Sequence, residues 1–152
     1  MAESVGKLYI VSTPIGNLGD MTYRAVELLK NVPMIAAEDT RHSRILMSHY
    51  DISTPLISYY EHNRFTRIPK IINHINSGKD LAVITDAGTP GISDPAYKLI
   101  REALVHDICI ESIPGASASL AALVSSGLPT DRFIFEGFLP PKKGRKGRIA
   151  RV

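Results

Sequence analysis

One cysteine, Cys109, stands in the 152 residues. It leaves no possibility of a disulfide within the chain and no set of thiolates for a zinc cluster, which agrees with a reducing compartment. No apolar run approaches the ~18 residues that suggest a membrane span, and Met1 to Gly6 lacks the charged-then-apolar plan of a secretory signal, so a cytoplasmic protein is expected. Internal repeats and low-complexity stretches are missing, as are a P-loop, a G-x-S-x-G nucleophile turn and any paired metal-ligand motif. No metal is therefore assigned.

What is present suits a globular α/β domain. Hydrophobic residues make up 44% and charged residues 22% of the chain, with a mean hydropathy of +0.02, which excludes an intrinsically disordered polymer. A chain of this length buries roughly 68–70% of its unfolded surface, enough for a core. The net charge of +3 is unevenly laid out. Lys142, Lys143, Arg145, Lys146, Arg148 and Arg151 follow Pro141, leaving 12 of the 18 basic side chains to face all 15 acidic ones before it. Such a basic tail can contact nucleic acid through phosphates or serve as a solvated linker.

The hydrophobic pattern alternates between two periods. Leu8–Val11, Met34–Ala37, Leu56–Tyr59, Leu81–Ile84 and Ile108–Ile110 are short apolar runs, the form of strands covered on both faces. Between them, Ile68, Ile71, Ile72 and Ile75 recur at helical spacing and stop at Gly78, and Ala96, Leu99, Ile100, Ala103 and Leu104 repeat the stripe. Asp94-Pro95 supplies a cap and a first-turn proline for that last helix, and Asp20 and Thr40 are candidate caps for two earlier ones. The pattern predicts five βα units with Arg132–Phe138 as a final strand. This is an open, mostly parallel sheet with helices on both faces.

Ligands of such sheets sit beyond the carboxyl ends of the strands. The residues there are Thr13–Asn17, Glu38–Arg41, Tyr60–Asn63, Asp86–Asp94 and Pro114–Ala118. Asp86–Pro95 is the most informative: two glycines and two prolines make a rigid path with bare backbone, and no Cβ at Gly88 or Gly91 obstructs a ligand. Gly16 and Gly19 after the first strand do not complete G-x-G-x-x-G, though Glu38 or Asp39 about 20 residues later keeps a dinucleotide reading open. In Glu38-Asp39-Thr40-Arg41, Asp39 can accept a hydroxyl proton or orient a substrate while Arg41 holds a phosphate. Helix capping by Thr40 with a surface Asp39–Arg41 pair explains the same residues. Among the five histidines only His62 is placed on the rim; His42, His49, His74 and His106 read as helix surface.

Val11 to Asp20, Ala37 to Arg41, Thr85 to Pro95 and Pro114 to Ala118 together resemble the tetrapyrrole methylase superfamily of S-adenosylmethionine-dependent methyltransferases. The resemblance runs from about Lys7 to Phe138. The Glu-Asp-Thr-Arg element is similar to the branch that methylates a cytidine ribose 2′-hydroxyl of small-subunit rRNA, rather than the porphyrin-modifying relatives. It implies S-adenosyl-L-methionine as cofactor, held by Pro14, Ala87, Gly88, Thr89, Ile92, Ser117 and Ala118, and small-subunit rRNA or the small ribosomal subunit as partner. It also implies a homodimer and a cofactor cleft between two domains. Residues 1–139 are then the cofactor-binding domain and 140–152 a basic interdomain linker or the start of a C-terminal domain, so that this chain by itself is expected to be inactive. The superfamily's glycine-aspartate-proline loop is Gly88-Thr89-Pro90 here, with Thr89 at the acidic position. Asp39 and Arg41 are the catalytic candidates. The competing readings are a superfamily enzyme acting on a small molecule, a noncatalytic RNA-binding module and an NAD enzyme.

Overall fold

Four of the five apolar runs form strands where the pattern places them, within a residue at their ends. In the computed structural model, which describes residues 5–140, 142–143 and 145–150, these are β1 (Leu8–Val11), β2 (Ile35–Ala37), β3 (Leu56–Ser58) and β4 (Leu81–Ile84). The fifth, β5, is Ile110–Ile113. The helices are α1 (Tyr23–Asn31), α2 (Thr40–His49), α3 (Arg64–Asn76), α4 (Ala96–Val105), α5 (Ala118–Ser126) and α6 (Arg145–Ile149). The chain packs as two units, one ending at Ala118 and one beginning at Ser119.

In the first unit the strands pair in the order β3-β2-β4-β1-β5, every pair parallel. From β1 the chain moves toward one edge through α1 and α2, then returns to the other through α3 and α4. A single crossover hand requires outward and returning helices to lie on opposite faces, and the packing agrees. Leu8, Ile10, Ala36, Leu81 and Val83 meet Ile71, Ile72 and Ile75 of α3 and Leu99 and Ala103 of α4. Val11, Ile35, Ala37, Ala82 and Ile84 meet Ala25 and Leu29 of α1 and Leu46 and Met47 of α2. Alternate strand residues thus enter two separate cores, which is why the strands read as continuous apolar runs.

The pattern missed in three places. Ile108 belongs not to β5 but to the end of α4. Asp107 takes a left-handed φ of 55°, its N–H donates to Leu104 O, and the Ile108 N–H donates to Ala103 O at 3.0 Å. This Schellman closure drops Ile108 into the core, 2% exposed, as the hydrophobic partner of the cap. The early caps are also displaced. Thr22, not Asp20, accepts the Ala25 N–H at the start of α1, and Asp20 ends a 3-10 turn over Leu18–Asp20. Asp39, not Thr40, caps α2 by accepting the Arg41 N–H at 2.8 Å. Pro95 takes the N-cap position of α4 rather than its first turn, and Asp94 just before it accepts from Ala96 N at 2.8 Å and from Gly91 N at 3.0 Å through Oδ1.

Arg132–Phe138 forms no strand. A strand needs a second backbone to take its N–H and C=O groups, and among the described residues of its own unit none runs beside it. Phe133, Ile134 and Phe138 are exposed. Within that unit Arg148 donates to Glu136 O and Glu136 Oε2 at 2.8 and 3.1 Å. Of the predicted basic tail, Pro141, Gly144 and Arg151 lie outside the described residues, as do Met1–Ser4 of the N-terminal segment. Among the described residues no helix is long and apolar enough to cross a membrane.

Candidate cofactor site

The connections leaving β1 and β2 go to one face of the sheet and that leaving β4 to the other, so the chain parts beyond the ends of these strands. A crevice at such a switch point is where open α/β sheets take ligands. The residues around it are tied together before any ligand arrives. Thr13 and Gly88 exchange backbone hydrogen bonds, Thr13 N–H to Gly88 O at 2.9 Å and Gly88 N–H to Thr13 O at 3.1 Å. The buried Thr13 hydroxyl donates to Thr85 O at 3.0 Å, and Ser12 Oγ lies 2.9 Å from Thr89 Oγ1. Thr89, at the position that the superfamily pattern gives an acid, is therefore a neutral latch between the first strand's loop and the glycine loop.

Gly88 has φ +84°, a left-handed conformation that glycine adopts without strain. A Cβ built there would make ordinary contacts with Ile15 Cγ2 at 3.6 Å and Ala116 O at 4.0 Å, so the loop lies close to the first strand's loop without clashing with it. The amides of Ala87 and Thr89 on either side donate to no acceptor among the described residues. Gly91, φ +90°, differs: its Cβ would point inward, 3.1 Å from Ile100 Cδ1. Gly115 works by close approach, since a Cβ there would lie 2.8 Å from Ser12 Cβ, and its absence lets the chain after β5 pass against the end of β1.

Beside the glycine loop lies a cavity of about 370 Å³ walled by Pro14, Ile15, His42, Ser43, Asp86 and Ala87, among others. Of the residues singled out in the sequence, Pro14 and Ala87 line it. Gly88 is bonded to Thr13 of its wall, Thr89 is bonded to Ser12 just before that wall, Ser117 and Ala118 follow Gly115 past β1, and Ile92 is exposed on the far arm of the loop. Two acids brace the same end of the sheet: Thr85 Oγ1 donates to Glu38 Oε2 at 2.8 Å, and Asp39 N–H donates to Asp86 Oδ1 at 3.2 Å. His42, read from the sequence as helix surface, is exposed on α2 and also borders this cavity. Its place on the first turn of α2, directly after a strand end, is the signal that could have found it. His62 instead stacks edge-on with Tyr60, ring centroids 6.3 Å apart.

Asp39 and Arg41 form a fork. Arg41 Nε donates to Asp39 Oδ1 at 3.1 Å and an Arg41 NH2 group to Oδ2 at 2.8 Å. That bidentate pair, with the Arg41 N–H on the same carboxylate, holds the Asp39 carboxyl well below the usual carboxylate range and pushes the Arg41 guanidinium further up. Asp39 is consequently a fixed anion and a weak proton acceptor. Arg41 remains 87% exposed, its orientation set and its remaining donors free to meet an anion.

Fold and crevice define an open parallel α/β domain with a ligand-sized crevice at the sheet's carboxyl edge. Residues 7–151 match the family model of the tetrapyrrole (corrin/porphyrin) methylases, and the chain belongs to that family. It is 55% identical over 138 residues to a ribosomal RNA small subunit methyltransferase I of Synechocystis, covering 91% of this chain and 50% of the relative. A protein of the same name from Pseudomonas aeruginosa is 49% identical over 150 residues, covering 98% and 53%. The chain thus spans about half the length of the curated relatives it matches. The crystal structure of uroporphyrin-III-C-methyltransferase from Thermus thermophilus shares the fold with a TM-score of 0.63 at 19% identity, over 83% of this chain and 55% of that one.

Proposed function

We propose that this chain is the cofactor-binding part of an S-adenosylmethionine-dependent methyltransferase acting on small-subunit rRNA, at the ribose 2′-hydroxyl of a cytidine. The observation that carries the cofactor assignment is the glycine loop at Gly88, where the Ala87 and Thr89 amides have no acceptor among the described residues, set beside the cavity at the β1–β4 end. The substrate class is supported by two relatives, 55% and 49% identical, whose names specify small-subunit rRNA. The hydroxyl as acceptor follows from the resemblance of the Glu38–Arg41 element.

The residues present fit the cofactor. Ala87 and Thr89 offer main-chain donors on either side of Gly88, whose own N–H is taken by Thr13 O, Pro14 and Ile15 offer apolar wall, and Ile92, Ser117 and Ala118 border the same edge. S-adenosylmethionine supplies an electrophilic methyl group when bound. The chain's own residues must then hold the nucleophilic oxygen in line and accept its proton. Arg41, fixed by Asp39, is placed to grip a phosphate of the RNA, so Asp39 acts by positioning Arg41. Asp86, on the cavity wall with one oxygen engaged by the Asp39 N–H, is the carboxylate that faces the space where a hydroxyl would enter.

The functional partner is the small ribosomal subunit or its RNA in the cytoplasm, and the working form is a homodimer. Isothermal titration of the chain with S-adenosylhomocysteine and with NAD tests the cofactor assignment: binding of the former alone is expected. Binding of NAD alone would overturn it. Radiolabelled methyl transfer to small ribosomal subunits by a protein of the relatives' full length, compared with its Asp86→Asn and Arg41→Ala variants, tests the rest.

A further inference from the structure

We propose that the groove between α3 and α4 is a platform for single-stranded RNA, with bases stacking on Phe65 and Tyr97 and phosphates meeting Lys98 and Arg101. The proposal rests on reading the chain as an RNA methylase, and it names a surface outside the cofactor crevice.

The groove has a volume of about 380 Å³. From α4, Tyr97, Arg101 and Val105 project along one stripe at four-residue spacing, with Lys98 beside them. From the first turns of α3 come Phe65, Ile68 and Pro69. Phe65 is 76% and Tyr97 54% exposed, a large investment of aromatic surface in water for two helices whose inner faces are already packed on the sheet. Phe65 is held ready. The Arg64 guanidinium lies over its ring at 4.6 Å and pairs with Glu61, which fixes the side chain and leaves the rest of the ring bare.

Charge selects the occupant. Arg64, Lys98 and Arg101 line the groove with Glu102 as its single acid, and Glu102 faces His106 at 3.5 Å. Among the described residues Lys98 and Arg101 form no ion pair. A second copy docking groove to groove would oppose these cations to themselves, whereas a polyanion is attracted. Aromatic rings flanked by unpaired cations are what unstacked bases and their phosphates bind, and a duplex offers no free base faces. Both aromatic residues sit on first helical turns, after the rim residues Tyr60–Asn63 and after the glycine loop. RNA stacked here is thereby led toward the carboxyl edge of the sheet, where the crevice lies.

The test is fluorescence anisotropy of the intact chain with a labelled ten-nucleotide oligouridylate and with an RNA duplex of equal length, over a salt series. Phe65→Leu and Tyr97→Leu keep apolar bulk at exposed sites and should each weaken single-strand binding about tenfold, since a stacked base contributes roughly that much or more. The Lys98→Gln/Arg101→Gln double variant should flatten the log–log salt slope by about 1.4, two phosphate contacts at roughly 0.7 each. Lys146→Gln/Arg148→Gln, in the other unit, should lower affinity for both nucleic acids without changing the preference for the single strand. Wild-type affinity in the groove variants, or equal binding of duplex and single strand, would overturn the proposal. So would a dimer in sedimentation that Phe65→Leu dissociates, since the groove would then be a self-interface. S-adenosylhomocysteine titration of the same samples should be unchanged; failure of the wild type to bind it would count against the methylase reading and leave the RNA result standing.

Discussion

Gly88 and Gly91 share a left-handed backbone but would bring a side chain against different neighbours, Ile15 of the cavity wall and Ile100 of α4, and that contrast separates a ligand role from a structural one. At Gly88, φ +84°, the nearest atom to a new Cβ is Ile15 Cγ2 at 3.6 Å, an ordinary contact. The penalty in the free protein is the left-handed conformation, about 1–2 kcal/mol for an L-residue. Against a typical stability of roughly 5–15 kcal/mol the fold should survive. At Gly91, φ +90°, a Cβ meets Ile100 Cδ1 at 3.1 Å, and a flexible side-chain end can yield at similar overall cost. Gly88→Ala, Gly88→Val and Gly91→Ala should therefore melt several degrees below wild type by circular dichroism. Only the Gly88 variants place atoms against Ile15, which lines the cavity. Calorimetric titration with S-adenosylhomocysteine should show Gly91→Ala within a few-fold of wild type and Gly88→Val weakened at least ~100-fold, about 2.7 kcal/mol, with Gly88→Ala between. Equal affinity in Gly88→Val and wild type would refute the placement of the cofactor against this loop.

Four further outcomes follow from the geometry. Thr22→Ala should destabilise by about 1 kcal/mol in urea melts through loss of the α1 cap, while Asp20→Ala should be silent; the reverse ranking would contradict the observed cap. Ile75→Ala, at a fully buried α3 position in the core, should cost roughly 2–5 kcal/mol, and a loss under 1 kcal/mol would mean that face is loosely packed. Because the folded pKa of Asp39 is depressed, its contribution is present above the unfolded value of about 4 and lost as pH falls below it. The stability gap between wild type and Asp39→Asn should accordingly be flat from pH 5 to 8 and shrink toward pH 3; a gap that widens in acid would reverse the assignment. Tyr59, buried with its hydroxyl donating to Pro95 O at 2.9 Å, is pushed up to about 12 by that burial. Its contribution should be intact below about pH 10 and fall as pH rises toward 12, and an ultraviolet titration of Tyr59→Phe against wild type should lose the latest-ionising tyrosine.

The sequence by itself determined the parallel α/β class and four of the strands. Period-2 positions feeding two cores produce unbroken apolar runs, and helical stripes ending at residues such as Gly78 separate them. It also determined which loops form the rim, because every connection that begins at a strand's carboxyl end must emerge on the same edge of a parallel sheet. Pro14, Ala87 and Gly88 were legible on that ground. Tertiary structure decided the rest. Whether Thr22 or Asp20 caps α1, and whether Ile108 belongs to a strand or to a Schellman closure, turns on hydrogen bonds that several polar residues in a row could each make. The Ser12–Thr89 latch and the Glu38–Thr85 brace join residues 77 and 47 positions apart, and no local pattern records such pairings. His42 lies on the helix surface as the sequence suggests, and that it also borders the cavity follows only from the end of β4 being brought beside α2. Arg132–Phe138 shows the converse limit: it has a strand's composition, but a strand also needs a neighbouring backbone, and that neighbour is a property of the fold.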